Sequence, residues 1–383
     1  MPHRLLPALI GSAALAALCL AATPAGAAIV FDVTNLASDG SVPAAHTDPN
    51  LVNPWGVSYA PTGPFWISDN ATGFASLKTG SGAPFAPLPQ VAFPAAAGSP
   101  TGQVFNAGLA NGAFQSGGNT PLFLFGGEDG HISTWSLADG GTAQIGFTST
   151  NGAVFKGLAI ANTGADTNLY AADFHNDAID VFTNSLSGAP TTFTDPTVAP
   201  GYAPFNAQVL DGQLYVTFAQ QDADAHDDVA GAGHGYVDVF DLDGTLDHRI
   251  ASLGDLNLNS PWGLALAPST WGEFAGKLLV GNFGDGTISV YDQTSNAFLG
   301  KLDGRDGRPL VFGDLWALIP GNGALAGRTD DIYFTAGVAN EAEGLFGQLS
   351  VAPEPASWLL MMAGFGLLGA ALRARTARLA RAD

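Results

Sequence analysis

Cysteine is nearly absent. The 383-residue chain has one, Cys19, inside an apolar run near the start. A chain processed after that run keeps no thiol, so neither disulfides nor cysteine chemistry can hold it together or do its work. Basic residues are scarce too: 13 Lys and Arg against 34 Asp and Glu give a formal net charge of −21. Five of the 13 (Arg4, Arg373, Arg375, Arg378 and Arg381) lie at the termini, leaving 8 basic against 32 acidic residues between positions 28 and 352. So acidic a body excludes nucleic acid and an anionic membrane as partners. Long helical periodicity is also missing. With 46% hydrophobic residues, and 50 glycines that follow no triplet repeat, the chain is not disordered, collagenous or coiled-coil.

Both ends read as addresses. Met1 to Ala27 carries one basic residue, an apolar run from Leu5 to Ala22 and the small triplet Ala25-Gly26-Ala27, which reads as a secretory signal peptide cleaved after Ala27. The alternative is an uncleaved anchor. At the other end, Pro353-Glu354-Pro355 precedes an apolar stretch from Ala356 to Leu372, closed by Arg373, Arg375, Arg378 and Arg381. Seventeen residues are at the short limit for a transmembrane helix, and the arginines would hold that end in the cytoplasm with the body outside. The order Pro-Glu-Pro, span, arginine cluster resembles the PEP-CTERM sorting tail of Gram-negative bacteria. That resemblance implies recognition and removal by an exosortase and an exopolysaccharide-producing host. A plain single-span anchor predicts the same topology without processing, and in either case the membrane is met only through this tail.

Between the ends, short β-rich runs alternate with Gly, Asn, Asp and Pro, which predicts an all-β domain over 28–350. Self-similarity is visible in Asn53-Pro54-Trp55-Gly56-Val57 and Ser260-Pro261-Trp262-Gly263-Leu264. A small residue at this place recurs as Gly56, Gly102, Gly157, Ala207, Gly263 and Ala317, each followed by a hairpin of β-rich runs. Strand, hairpin and fourth strand, six times over at roughly fifty-residue spacing, is the pattern of a six-bladed β-propeller. The last unit ends at Val351 without a fourth strand, while Ile29 to Val33 has no blade of its own; the N-terminal strand is therefore expected to close the ring. A pair of two-sheet sandwiches is the competing fold.

Blocks such as Tyr170-Ala171-Ala172-Asp173-Phe174-His175-Asn176 and Leu279-Val280-Gly281-Asn282-Phe283-Gly284-Asp285 resemble a family of bacterial propeller proteins with PEP-CTERM tails. The likeness implies the fold and no catalytic assignment. More distantly, the blades resemble NHL repeats and metal-dependent gluconolactonase-type propellers.

In a four-stranded blade, the loop entering the first strand and the turn between the second and third share one face of the disc. Asn53, Lys156, Asn206 and Asp314 are thus candidates for the channel mouth. Lys156, the lone basic residue there, is expected to pair with Asp314 or another mouth carboxylate. Trp55, Trp262 and Trp316 read as ring-packing residues rather than sugar platforms. The fourth hairpin holds a long polar insertion whose Asp222, Asp224, His226, Asp227 and Asp228 suit Ca²⁺ or another divalent cation. A solvated acidic loop is the alternative, and the spacing is not an EF-hand. The chain has no Gly-x-Ser-x-Gly elbow, no His-Glu-x-x-His and no phosphate loop.

With no complete catalytic set legible, the sequence reads as an exported, surface-sorted, non-catalytic binding or matrix protein. Its partners would be an exosortase and exopolysaccharide, with a divalent cation or glycan at the acidic face and no cofactor assigned. The alternative is a metal-dependent hydrolase of gluconolactonase type using Asn206, Asp314 and the His226 region.

Overall fold

The computed structural model describes residues 29–353, together with Phe365. The expected signal peptide (1–27) and, past Pro353, the sorting tail with its span over 356–372 lie outside these residues, Phe365 apart. Among the described residues no helix is long and apolar enough to cross a membrane.

Among the described residues six sheets make up the body, each with a four-stranded antiparallel blade; in the sixth, Val30–Ser38 also pairs in parallel with the short strands His46–Thr47 and Asp303–Gly304. Blade 1 is built from Pro54–Ser58, Phe65–Asp69, Phe74–Lys78 and Gln90–Ala92. Blade 2 uses Pro100–Phe105, Phe123–Gly127, His131–Trp135 and Gln144–Thr148. Blade 3 uses Phe155–Thr163, Asp166–Asp173, Ala178–Thr183 and Thr191–Phe193. Blade 4 uses Tyr202–Leu210, Gln213–Gln220, Tyr236–Phe240 and Leu246–Ala251. Blade 5 uses Pro261–Leu266, Leu278–Asn282, Ile288–Tyr291 and Phe298–Lys301. Blade 6 takes Leu315–Pro320, Ile332–Ala336 and Leu345–Val351 from the C-terminal end and its outer strand, Val30–Ser38, from the N-terminal end. That strand runs antiparallel to Leu345–Val351 from Phe31 opposite Val351 to Ser38 opposite Leu345, so the N-terminus closes the ring as expected.

The alternation of side chains along each strand builds the core. In Leu214-Tyr215-Val216, Leu214 and Val216 join the apolar cluster shared with blade 3, while Tyr215 joins the one shared with blade 5. Because both faces are covered, the run reads as continuously apolar rather than alternating. One such cluster fills each of the six gaps between neighbouring blades.

The first strands surround the axis, each packing on the next, with Leu315–Pro320 returning to Pro54–Ser58. Every one carries a register shift near its small residue, the local bend a bulge produces. A methyl group added at Gly56 would lie 2.9 Å from the Cα of Gly102, one at Gly102 would lie 2.7 Å from the Cα of Gly157, and one at Gly157 would lie 2.6 Å from the Cα of Asn206. The small residues are thus demanded by backbone approaching backbone. In blade 4 the axial position is held by Asn206, one residue before the expected Ala207; as in the other blades, it is the second residue after the one at which the register shift begins.

Candidate functional site at the mouth

The residue just before each axial position is large or polar: Trp55, Thr101, Lys156, Phe205, Trp262 and Trp316. Trp55 stacks on Trp316 with ring centroids 3.6 Å apart and 21° between planes, and Trp262 meets both edge-on. Phe205, Phe174 and Phe283 complete this seventh apolar cluster, which floors the mouth. The three tryptophans are at most 4% exposed and pack on one another, as ring-packing residues should. Beneath them the axis narrows to a cavity of about 20 Å³, lined by Gly56, Gly102, Leu158, Asn206, Trp262 and Ala317. That is room for about one water.

Above the floor, the hairpin turns of blades 1, 2, 4 and 6 converge on Lys156 from blade 3. Its Nζ donates to Glu128 Oε1 at 2.5 Å and to Asp227 Oδ1 at 3.2 Å, and lies 5.0 Å from the ring centroid of Trp55 and 5.8 Å from that of Phe174. Lys156 is 1% exposed. An ammonium so far from water needs both carboxylates, and the ring faces add cation–π attraction. The chain of bonds continues outward: Asn70 Nδ2 donates to Glu128 Oε2 (2.9 Å), Asn53 Nδ2 to Glu341 Oε2 (2.7 Å), and Trp316 Nε1 to Asn53 Oδ1 (3.0 Å).

Each sequence candidate can now be placed. Asn53 has left-handed backbone (φ 47°) and ties the tryptophan floor to Glu341. Asp314, also left-handed (φ 55°), accepts from the Glu341 backbone N–H at 3.1 Å; it fixes that loop and does not pair with Lys156, whose partners are Glu128 and Asp227. Asn206 stands one layer below the mouth, where its Nδ2 donates to the Trp262 carbonyl at 2.7 Å. Asn206 and Asp314 therefore serve separate local structures.

The five candidate metal ligands also separate. Asp222 Oδ1 accepts the N–H groups of His226 (2.9 Å) and Asp227 (3.3 Å), shaping its own loop. Asp224 is exposed near the loop tip. Asp228 turns inward, where burial pushes its carboxyl up to about 6 against the pull of Lys156, and its Oδ2 is buried without a hydrogen-bond partner. What does converge is His226 and Asp227 with Glu128, whose ligand atoms lie within 4.8 Å of one another. These three supply two carboxylates and an imidazole, a donor set suited to a divalent cation. Partial burial raises the Asp227 carboxyl, but the charge of Lys156 and the bond to His226 hold it below the usual range.

Two further members of the site, Glu128 and Glu341, lie in hairpin turns that the blade geometry brings to the mouth, though nothing in the sequence singles them out from the other turn residues. Glu128 sits in an ordinary turn of blade 2. Glu341 follows Val338, Ala339 and Asn340 in a run of four left-handed residues with φ between 44° and 64°, a conformation that costs roughly 1–2 kcal/mol per residue outside glycine. Burial pushes the Glu341 carboxyl up to about 7, with Glu128 and Asp314 adding to the shift against Asn53 and Lys156.

Sheet order and axial closure define a six-bladed β-propeller with a polar, partly charged mouth. Two proteins of Acanthamoeba polyphaga mimivirus, "Uncharacterized protein R648" and "Uncharacterized protein L690", are each 31% identical to the chain, over 373 residues (90% of this chain, 86% of the relative) and 364 residues (85% and 87%). The chain belongs to the family of these two proteins. These relatives are viral, whereas the sequence blocks resemble a bacterial family. Residues 351–375 match the PEP-CTERM protein-sorting motif, which implies export and exosortase-mediated sorting. Among solved structures, a streptogramin B lyase aligns with a TM-score of 0.47 at 12% identity, over 85% of this chain and 98% of that one. The PQQ-bound aldose sugar dehydrogenase of Streptomyces coelicolor aligns with 0.42 at 13%, over 84% and 98%. Neither likeness bears on function.

Proposed function

We propose that the protein is a non-catalytic binding or matrix protein, exported behind a signal peptide cleaved after Ala27 and sorted to the cell surface. The span at 356–372 would hold it in the inner membrane until an exosortase processes the tail at Pro353-Glu354-Pro355. Its mouth takes a divalent cation, or a glycan of the producer's exopolysaccharide held through one. The observation that carries this reading is the meeting of Glu128, His226 and Asp227 over a sealed aromatic floor: the side chains face outward, and the axis below is too narrow to admit a substrate. Lys156 already bridges two of these carboxylates, so an incoming divalent ion must outcompete an ammonium, which favours modest affinity.

Calorimetric titration of Ca²⁺, Mn²⁺ and Zn²⁺ into the chelator-treated protein tests this. Binding is expected to be lost in Glu128→Gln and in Asp227→Asn but kept in Asp224→Asn, which removes only an exposed carboxylate. If neither the ions nor the producer's polysaccharide bind, the reading fails.

A metal-dependent hydrolase is the second reading. It is favoured by Glu341, whose carboxyl at about 7 has the range of a general base at neutral pH. Turnover of lactones or esters that disappears in Glu341→Gln would establish it in place of the first.

A further inference from the structure

The third strand of every blade carries one position that faces the neighbouring blade, opposite a defined partner on the second strand. These pairs are Ile67 with Ser76, Phe125 with Ser133, Ala171 with Asp180, Val216 with Asp238, Val280 with Ser289, and Phe334 with Gly347. Four blades place serine or glycine there, and blades 3 and 4 place aspartate.

Blade 4 shows what an aspartate at this place requires. Opposite Asp238 on the outer strand stands Arg249, whose guanidinium donates to both Asp238 oxygens (2.6 and 2.9 Å). Asp195 and Thr197, which follow the outer strand of blade 3, accept from its Nη2 at 2.7 and 3.0 Å, and Tyr236 lies under the guanidinium with 4.6 Å to the ring centroid. A buried carboxylate is thus matched by a fork of donors, the geometry that guanidinium provides.

Blade 3 repeats the frame without the cation. Asp180 is 4% exposed, and the residue opposite it on the outer strand is Thr192, too short to reach back as Arg249 does. No side chain donates to its carboxylate among the described residues; burial, with the charge of Asp173 adding, pushes the group up to about 7. The volume that an arginine would take is open. It forms a groove of about 560 Å³ between blades 2 and 3, with Asp180 in its lining, apolar walls from Phe147, Leu186 and Pro190, and Thr150 and Asn151 following the outer strand of blade 2 as Asp195 and Thr197 follow that of blade 3. This is the size and make-up of a small-molecule site: mostly apolar walls, a few hydroxyl and amide groups, and one ionisable group at a fixed point.

We infer that the groove between blades 2 and 3 binds a small organic cation, a guanidinium or primary ammonium group on a short apolar body, with Asp180 as its counter-ion. The bound head group takes the place that Arg249 takes in blade 4, while its body lies against Phe147, Leu186 and Pro190. The site shares no residue with the mouth and stands whether or not the mouth binds a metal.

The test is calorimetric titration of ethylguanidine and n-butylamine into the full-length protein, with ethylurea as the neutral isostere. The two cations are expected to bind at least about tenfold more tightly than ethylurea, and Asp180→Asn to weaken them by about tenfold or more. Thr192→Arg should abolish their binding and raise the melting temperature, because the chain's own guanidinium then fills the site. Glu128→Gln, at the mouth, should leave all of this unchanged. Equal binding of ethylurea and ethylguanidine, binding unaltered by both Asp180→Asn and Thr192→Arg, or no binding up to about 10 mM would each overturn the inference.

Discussion

Two rings of residues, adjacent in sequence, meet opposite demands. In the axial ring of Gly56, Gly102, Gly157, Asn206, Gly263 and Ala317, a methyl group added at any of the four glycines would strike the neighbouring backbone. The ring one residue earlier holds three tryptophans, a phenylalanine, a threonine and a lysine. The bulge in each first strand separates the two, turning one residue toward the axis and the previous one toward the mouth. The axis accepts almost nothing, since sterics decide it. The mouth accepts many residue types, so what stands there reflects other demands, and Lys156 is the member whose burial only neighbouring charges can offset.

The largest effect should come from breaking the axial ring. Gly157→Val would drive a side chain into Asn206, and because its Cα is part of the obstacle no rotamer change relieves the contact. A loss of about 4 kcal/mol or more is expected, read by urea denaturation, with poor recovery of folded protein. Ala207→Gly, beside the ring, should cost only about 1 kcal/mol; equal losses would show that the ring is not sterically set.

Breaking the mouth should cost less. Lys156→Met removes the cation between Glu128 and Asp227 and leaves Glu128 partly buried without its charge partner, for a loss of about 3 kcal/mol. The double variant Lys156→Met with Glu128→Gln should recover more than half of that loss, which an additive pair would not. The recovery would identify the loss as uncompensated charge rather than lost packing on Trp55.

Glu341 sharpens the comparison further, because no residue of the axial ring titrates. Its folded-state pKa is raised from 4.5 to about 7, so the folded chain holds this proton more strongly than the unfolded chain. Stability from this group is fully present below about pH 4.5 and is lost as pH rises through about 7. Asp228, raised to about 6, acts in the same direction. Thermal denaturation should therefore show higher stability at pH 5 than at pH 8, and Glu341→Gln should flatten that slope by about 2 kcal/mol. A slope unchanged by the variant would place the titration elsewhere. The smallest effect is expected at Arg305, whose exposed pair with Asp32 joins the N-terminal strand to the segment after blade 5. Arg305→Ala should change stability by less than about 0.5 kcal/mol.

Much of the frame was legible in the sequence because it rests on local rules. Small residues recur where backbones must approach, β-rich runs recur where both faces are buried, and one missing strand at Val351 matches one spare strand near Ile29. The fourth axial residue was misplaced by one because the place is taken by Asn206, whose amide donates to the Trp262 carbonyl, while the small residue that the pattern leads to, Ala207, comes one later. The polar insertion of blade 4 was visible, but not which of its carboxylates would face the others: Asp222 is taken by its own loop's N–H groups and Asp228 is turned inward.

By itself, then, the sequence determined six blades, their closure by the N-terminal strand and an acidic body carrying the PEP-CTERM motif, since each follows from spacing, period or composition along the chain. Tertiary structure alone decided that Lys156 meets Glu128 and Asp227, which lie 28 and 71 positions away, that Glu341 joins Asn53 across the ring closure, and that Asp180 lacks the arginine its counterpart Asp238 has. Those facts depend on which turns a closed ring brings together and on the register of outer strands. Neither is encoded in any short stretch of chain.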